Sequence, residues 1–137
     1  MKKSVTVVIP AYNAEATLEK AVQSVLDQTV QVESIIIVND GSKDNTQKIA
    51  EDLKSKAALS EDAPVINVIS IENSGASHAR NVGIKAAKTE YIAFLDSDES
   101  WHAEKIEKQL QVFEVNKDAT LVSTSSTVKS KFNGKTK

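Results

Sequence analysis

Cysteine is absent from the sequence, which excludes disulfide frameworks, thiolate zinc sites and cysteine nucleophiles. A cysteine-free chain suits any redox compartment. No apolar run approaches the length of a membrane span. The one stretch that could serve as a leader, Val5 to Ile9 behind Lys2 and Lys3, is too short for the apolar region of a signal peptide and stops at Pro10. Excess charge of one sign is missing as well: 17 Lys plus Arg against 19 Asp plus Glu leave a formal net charge of −2. Binding to nucleic acid through bulk charge is therefore not expected. Internal repeats and low-complexity blocks are lacking too. What is present is apolar mass, 40% of 137 residues, enough for one domain around one core. A cytoplasmic protein is the expectation, with membrane association left open for a longer parent protein.

Strand and helix patterns alternate along the chain. Val5 to Ile9 is β-branched and nearly all apolar, as in a strand covered on both faces. Ala14, Leu18, Ala21, Val22, Val25 and Leu26 then recur at helical spacing. Ser34 to Val38 reads as a second buried strand, and Asp44 as the cap of a helix striped by Ile49, Ala50, Leu53 and Ala57. Val65 to Ile71 is a third strand, about Ser77 to Lys88 a third helix with small inward residues, and Tyr91 to Leu95 a fourth strand. Ile106, Leu110 and Phe113 mark a fourth helix, and Ala119 to Ser123 a fifth strand. Beyond it the chain turns polar and Lys-rich and reads as a tail. The order predicts an α/β fold: a mostly parallel sheet flanked by helices, with right-handed crossovers.

Ligands of such sheets sit outside the carboxyl ends of the strands. Here those ends run into Pro10-Ala11-Tyr12-Asn13-Ala14-Glu15, Asn39-Asp40-Gly41-Ser42, Glu72-Asn73-Ser74-Gly75 and Asp96-Ser97-Asp98-Glu99, all of which should open on one edge. No GxGxxG turn follows the first strand, and neither a phosphate-cradling P-loop nor a GxSxG elbow is found. Asp96 and Asp98, two apart on an extended chain, face the same way. Paired hard oxygens suit Mg²⁺ or Mn²⁺, against the plainer possibility that Asp98 or Ser100 caps the following helix. Tyr12 offers a flat face for a nucleobase or ordinary packing. Asp40 offers an acceptor for a base N–H or an Asx turn before Gly41. Arg80 lies where it could meet a diphosphate or a base carbonyl, or simply be solvated. His78, His102 and Trp101 read as surface or packing residues.

Taken together and in order, these segments resemble family 2 glycosyltransferases of the GT-A (Rossmann-like) fold. The resemblance is carried by Val7 to Glu15, Gln28-Thr29, Ile36 to Thr46, Asn73 to Ile84 and Tyr91 to Trp101. It implies that Pro10, Ala11, Tyr12 and Glu15 border the nucleotide, with Tyr12 against the base. It also implies that Asp40 hydrogen-bonds the base, that Arg80 fixes the base or diphosphate, and that Asn81 supports the start of its helix. Asp96, Ser97 and Asp98 match the family's DxD motif, which puts Ser97 beside the nucleotide, Asp98 on the metal, and Asp96 on the ribose or the metal. The implied chemistry is inverting transfer of a sugar from a nucleotide-diphosphate donor, by default UDP rather than dTDP or GDP, to an acceptor hydroxyl, with Mg²⁺ or Mn²⁺ as cofactor.

Two departures stand out. Asn39 replaces an acid common in the family, and nothing after Trp101 matches the Glu-Asp type motif that holds the catalytic base, Asp118 lying on the wrong side of the fourth helix. The expectation is therefore a donor-binding half, residues 1–125, with residues 126–137 as a polar tail or the start of an acceptor half. The fold would be truncated after the fourth helix and a fifth strand, without its own base. A sheet edge left unpaired there would favour self-association. The alternative function is a non-catalytic nucleotide-binding or interaction module that keeps the fold.

Overall fold

The computed structural model describes residues 3–115, 121–123 and 127–130. Strands and helices alternate as β1 (Lys3–Ala11), α1 (Leu18–Leu26), β2 (Val32–Asp40), α2 (Thr46–Ala57), β3 (Val65–Ile71), α3 (Ala76–Ala86), β4 (Tyr91–Phe94) and α4 (Lys105–Val115). Two further strands follow, β5 (Leu121–Ser123) and β6 (Thr127–Ser130). The sheet order is β3-β2-β1-β4-β6-β5. The first four strands are mutually parallel, whereas β6 runs antiparallel to β4, and β5 antiparallel to β6.

The apolar runs of β1, β2 and β4 form strands because both of their faces are covered. On β1, Val5, Val7 and Ile9 join Leu18, Val22 and Val25 of α1 and Ile106 and Phe113 of α4 in one core. The alternate residue Val8 joins Ala79 of α3, Ile36, Val38, Ile92 and Phe94 in a second core on the opposite face. Period-two alternation thus sends successive side chains into two separate cores. Each fully buried Val, Ile or Leu contributes roughly 1.5–3 kcal/mol. Thr6 is the polar exception in β1. Its hydroxyl is fully buried and bonded to the hydroxyls of Thr89 at 2.7 Å and Ser34 at 2.8 Å.

Helix α3 sits unusually close to the sheet. A Cβ on Gly83 would collide with Cγ1 of Val8 and come within 3.0 Å of its Cγ2. Alanine for glycine in a helix interior normally gains about 1 kcal/mol. Here Gly83→Ala is expected to lower stability by about 1–3 kcal/mol, the usual penalty of overpacking. Denaturant unfolding checks this, and the loss should shrink in a Val8→Ala background.

A second brace holds the start of α4. Gln28 is buried, donates from Nε2 to the carbonyls of Ser24 (3.0 Å) and His102 (2.7 Å), and accepts at Oε1 from the Ile106 N–H (3.0 Å). The Thr29 N–H donates to the Ala103 carbonyl at 2.8 Å. The end of α1 is thereby tied to the segment that follows the acidic loop after β4.

The described structure differs from the sequence expectation at the C-terminal side. Within residues 126–137, expected as a polar tail or the start of an acceptor half, Thr127–Ser130 form a strand, with Ala93 opposite Val128. The fold therefore does not stop after the fifth strand. The outer edge of β4 is a ready template of unpaired backbone groups, and β6 covers it. Of the fifth strand, Leu121–Ser123 are in place; Asp118 and Ala119 lie outside the described residues. The outer strands of the sheet are β3 and β5. Among the described residues, no helix is long and apolar enough to cross a membrane.

Candidate functional site

The carboxyl ends of β1, β2 and β4 and the start of α3 surround a cavity of about 650 Å³. Pro10, Ala11 and Tyr12 form its wall at the end of β1, with Asp40 at the end of β2. Asn73, Gly75 and Ala76 border it at the β3–α3 junction, Arg80 on α3, and Asp96, Ser97 and Asp98 beyond β4. Tyr12 keeps 49% of its surface exposed, so one ring face is available at the mouth.

Asp40 is buried, and both of its carboxylate oxygens are engaged. Oδ1 accepts from the Ser74 N–H at 2.7 Å and Oδ2 from the Gly75 N–H at 3.0 Å, while the Asp40 carbonyl accepts from Asn73 Nδ2 at 2.9 Å. Gly75 is the residue that precedes α3, at φ 97°, so Asp40 supplies the anion at that helix N-terminus. Gly41 is held at φ 69°, and a Cβ there would lie 2.6 Å from the Asn73 nitrogen. The turn after β2 therefore clasps the loop after β3, and only glycine permits the approach.

On the far side of the cavity, Arg80 Nη2 meets Asp96 Oδ1 at 3.1 Å, with both side chains partly exposed. Asp98 and Glu99 complete an acidic group: one carboxylate oxygen from each of Asp96, Asp98 and Glu99 lies within 4.8 Å of the others. A hydrogen bond with Asp96 holds Glu99 above the ordinary carboxylate range, helped by desolvation and by the charges of Asp96 and Asp98, with Lys105 acting in the opposite direction. Lys105 is itself held below its usual value by burial, beside the Trp101 ring at 5.9 Å. Three hard oxygens at this spacing fit a Mg²⁺- or Mn²⁺-type ion. Because Asp96 is engaged by Arg80 and by Glu99, Asp98 is the freest ligand of the three.

The loops after β1 and β2 are cross-linked on the cavity's other flank. The Asn13 N–H donates to Ser42 Oγ (2.9 Å), the Lys43 N–H to Asn13 Oδ1 (2.9 Å), and the Ala14 N–H to the buried Thr46 Oγ1 (2.8 Å). Asp44 accepts from the Thr46 N–H at 3.0 Å and from the Glu15 N–H at 3.2 Å. It caps α2 as the sequence predicts, although Asn45 is the residue adjacent to the helix. The hydrogen bond from the Thr46 hydroxyl, above all, holds the Asp44 carboxyl below its ordinary range.

Of the residues singled out from sequence, Pro10, Ala11, Tyr12, Asp40, Arg80, Asp96, Ser97 and Asp98 line one cavity. Glu15 does not: its carboxylate turns toward the Asn45 N–H at 3.4 Å, at the start of α2. Asn81, His78 and His102 are exposed, and Trp101 packs half-buried against the larger core. Sequence reasoning missed Asn13, Asn73 and Glu99. Glu99 carried a legible signal, as a third acid directly after the Asp96–Asp98 pair.

Comparison with known proteins agrees with this layout. The profile described as "Glycosyl transferase family 2" matches residues 6–136. TuaG of Bacillus subtilis, a glycosyltransferase provisionally assigned to teichuronic acid biosynthesis, is 43% identical over 110 residues, which is 80% of this chain and 42% of TuaG. The Escherichia coli UDP-Glc:alpha-D-GlcNAc-diphosphoundecaprenol beta-1,3-glucosyltransferase WfaP is 39% identical over 82% of this chain and 42% of its own length. The crystal structure of S. aureus TarS 1–349 in complex with UDP superimposes with a TM-score of 0.71 at 26% identity, covering 85% of this chain and 33% of that one. The chain thus spans less than half the length of the curated relatives it matches. With a family profile running across nearly its whole length and a GT-A scaffold beneath it, this chain belongs to glycosyl transferase family 2.

Proposed function

We propose that this chain is the donor-binding half of an inverting glycosyltransferase, with residues 1–125 forming the nucleotide-sugar site and residues 126–137 beginning the part that follows. The observation that carries the reading is the convergence of several strand ends on one cavity. An exposed tyrosine stands at one wall and a group of carboxylates at the other. A relative whose name specifies UDP-Glc, and a similar structure solved with UDP, support UDP as the nucleotide. Work in the cytoplasm on such a donor accords with this reading.

In this reading Tyr12 stacks on the base, against Pro10 and Ala11. Asp40 borders the base and holds the loop leading to α3. Arg80 faces the diphosphate, where its charge offsets that of the phosphates. Asp98, with Asp96 and Glu99 beside it, would hold a divalent ion, which would offset charge on the leaving diphosphate as a Lewis acid and template. Ser97 lies between these ligands. Transfer also requires deprotonation of the acceptor hydroxyl. Asp40 is engaged by backbone N–H groups and Asp96 by Arg80. Nothing after Trp101 matches the family's Glu-Asp type motif, so in this reading the base lies outside the donor half.

Thermal denaturation with a nucleotide panel, in the presence of Mn²⁺, tests the reading. UDP at a hundredfold excess over its dissociation constant is expected to add about 2.7 kcal/mol to stability, with smaller effects from GDP and dTDP. The chain with a UDP-sugar and simple acceptors is expected to bind without transferring. Equal and negligible shifts with all three nucleotides would remove the donor-site reading.

Self-association through a sheet edge is also part of the proposal, with a second copy pairing along β3. This outer strand reads Val-Ile-Asn-Val-Ile-Ser-Ile, without a charge or proline, and Val65 is 58% exposed. Such a segment lacks the charges that usually blunt an edge. Sedimentation should show association rising with concentration, suppressed by Asn67→Lys. A wild-type chain that stays monomeric at high concentration would count against it.

A further inference from the structure

Tyr12, the exposed wall of the cavity, stands on a loop whose position is fixed by its neighbour. Asn13 is, among the described residues, the one non-glycine residue with positive φ, at 49°. Asparagine tolerates this left-handed conformation better than most residues. Its backbone and its side chain are each used once: the backbone N–H donates to Ser42 Oγ at 2.9 Å, and Oδ1 accepts from the Lys43 N–H at 2.9 Å. Immediately beyond, the Ala14 N–H is anchored on the buried Thr46 hydroxyl. The end of β1 is thus bolted to the loop after β2, and Tyr12 is the residue between the bolt and the strand.

We infer that Asn13 is a positioning residue for nucleotide recognition, holding Tyr12 as a preformed platform for the base. The inference rests on the donor-site reading above. A platform fixed before the ligand arrives loses less freedom on binding than one that must be ordered by it. The bond to Lys43 is made by the side chain and the turn by the backbone, so the two contributions separate by substitution. Asn13→Gly keeps the left-handed turn and loses the bond. Asn13→Asp keeps an oxygen for the Lys43 N–H in a residue that also tolerates the turn. Asn13→Ala loses both.

The test is calorimetric titration of the full chain, with Mn²⁺ present, with UDP and, separately, with uridine, in wild type, the three Asn13 variants, Tyr12→Ala, and Tyr12→Ala combined with Asn13→Ala. Melting curves confirm that each sample is folded. Asn13→Ala should weaken UDP by about five- to tenfold, Asn13→Gly by about two- to fivefold, and Asn13→Asp by less than twofold, in line with the loss of one hydrogen bond. Uridine should follow the same order, since the effect lies at the base. In the Tyr12→Ala background, Asn13→Ala should cost nothing more, a non-additivity that a general structural weakening would not give. Should Asn13→Ala fail to fold, Asn13→Gly carries the same comparison. Full additivity, wild-type affinity in Asn13→Gly, or equal damage from Asp and Ala would overturn the inference while leaving UDP binding itself intact. A folded wild type that binds neither ligand overturns the donor-site reading, and the positioning role with it.

Discussion

UDP is expected to bind this chain tightly only when Mn²⁺ or Mg²⁺ is present, and Asp98→Ala is expected to abolish that dependence together with most of the affinity. The geometry sets the size of the effect. Asp98 is the carboxylate of the acidic group engaged by neither Arg80 nor a neighbouring acid, so removing it takes away the group's freest ligand. A divalent ion that keeps most of its waters depends on one or two carboxylates plus substrate phosphates. Affinity for UDP in the presence of metal should therefore fall by more than about tenfold, equivalent to about 1.4 kcal/mol or more. Neutralising the same position has an opposite effect without the ion. Three acids lie within 4.8 Å of one another, and a hydrogen bond with Asp96, helped by desolvation and by the charges of Asp96 and Asp98, holds Glu99 above the ordinary carboxylate range. Asp98→Asn in metal-free buffer should be neutral or slightly stabilising, and Mn²⁺ should raise the melting temperature of wild type alone. Calorimetry and melting on the same samples read both effects. Nucleotide binding indifferent to metal and to Asp98 would instead favour a non-catalytic nucleotide-binding module.

The second large effect is expected at Asp40. Asp40→Ala leaves the Ser74 and Gly75 N–H groups without their acceptor at a site that is only 4% exposed. Each stranded donor costs about 1–3 kcal/mol, so the fold should lose about 2–6 kcal/mol, and the loop that opens into α3 should move away from the cavity. UDP affinity should fall with it, because Arg80 rides on the same helix. Asp40→Asn discriminates a latch from a mere base contact. Its amide keeps one acceptor oxygen and turns an N–H₂ against a backbone donor, so roughly half of the stability loss should appear. Denaturant unfolding measures this without any ligand. A variant as stable as wild type would show that the clasp does not hold the loop.

Much of the fold was legible in the sequence. Strands β1, β2 and β4 are largely buried on both faces, and such strands announce themselves as short apolar runs between polar clusters; β3, only partly covered, shows the same run. Strand β6 was not legible. Thr-Val-Lys-Ser has no apolar run, and its strand character comes from pairing with β4 more than thirty residues earlier. The site divides in the same way. That the polar clusters would meet followed from parallel topology alone, and eight of the residues named in advance line the cavity. Which way each side chain turns did not follow. Glu15 is next to the motif in sequence but bends toward the start of α2. Asp40 meets partners 34 and 35 residues away, and Arg80 one 16 residues away, pairings invisible to any local pattern.

The central place of β1 has a consequence during biosynthesis. One of its edges is filled early by β2, whose Ile36 pairs with Val8. The other edge waits for β4, whose Phe94 pairs with the same Val8. At about 5–20 residues per second, the intervening stretch of about 86 residues takes roughly 4–17 s to make. Throughout that interval a nascent chain carries a bare, apolar strand edge. Translation speed between β2 and β4, more than the stability of the finished domain, therefore governs how long each new molecule is open to pairing with the wrong neighbour.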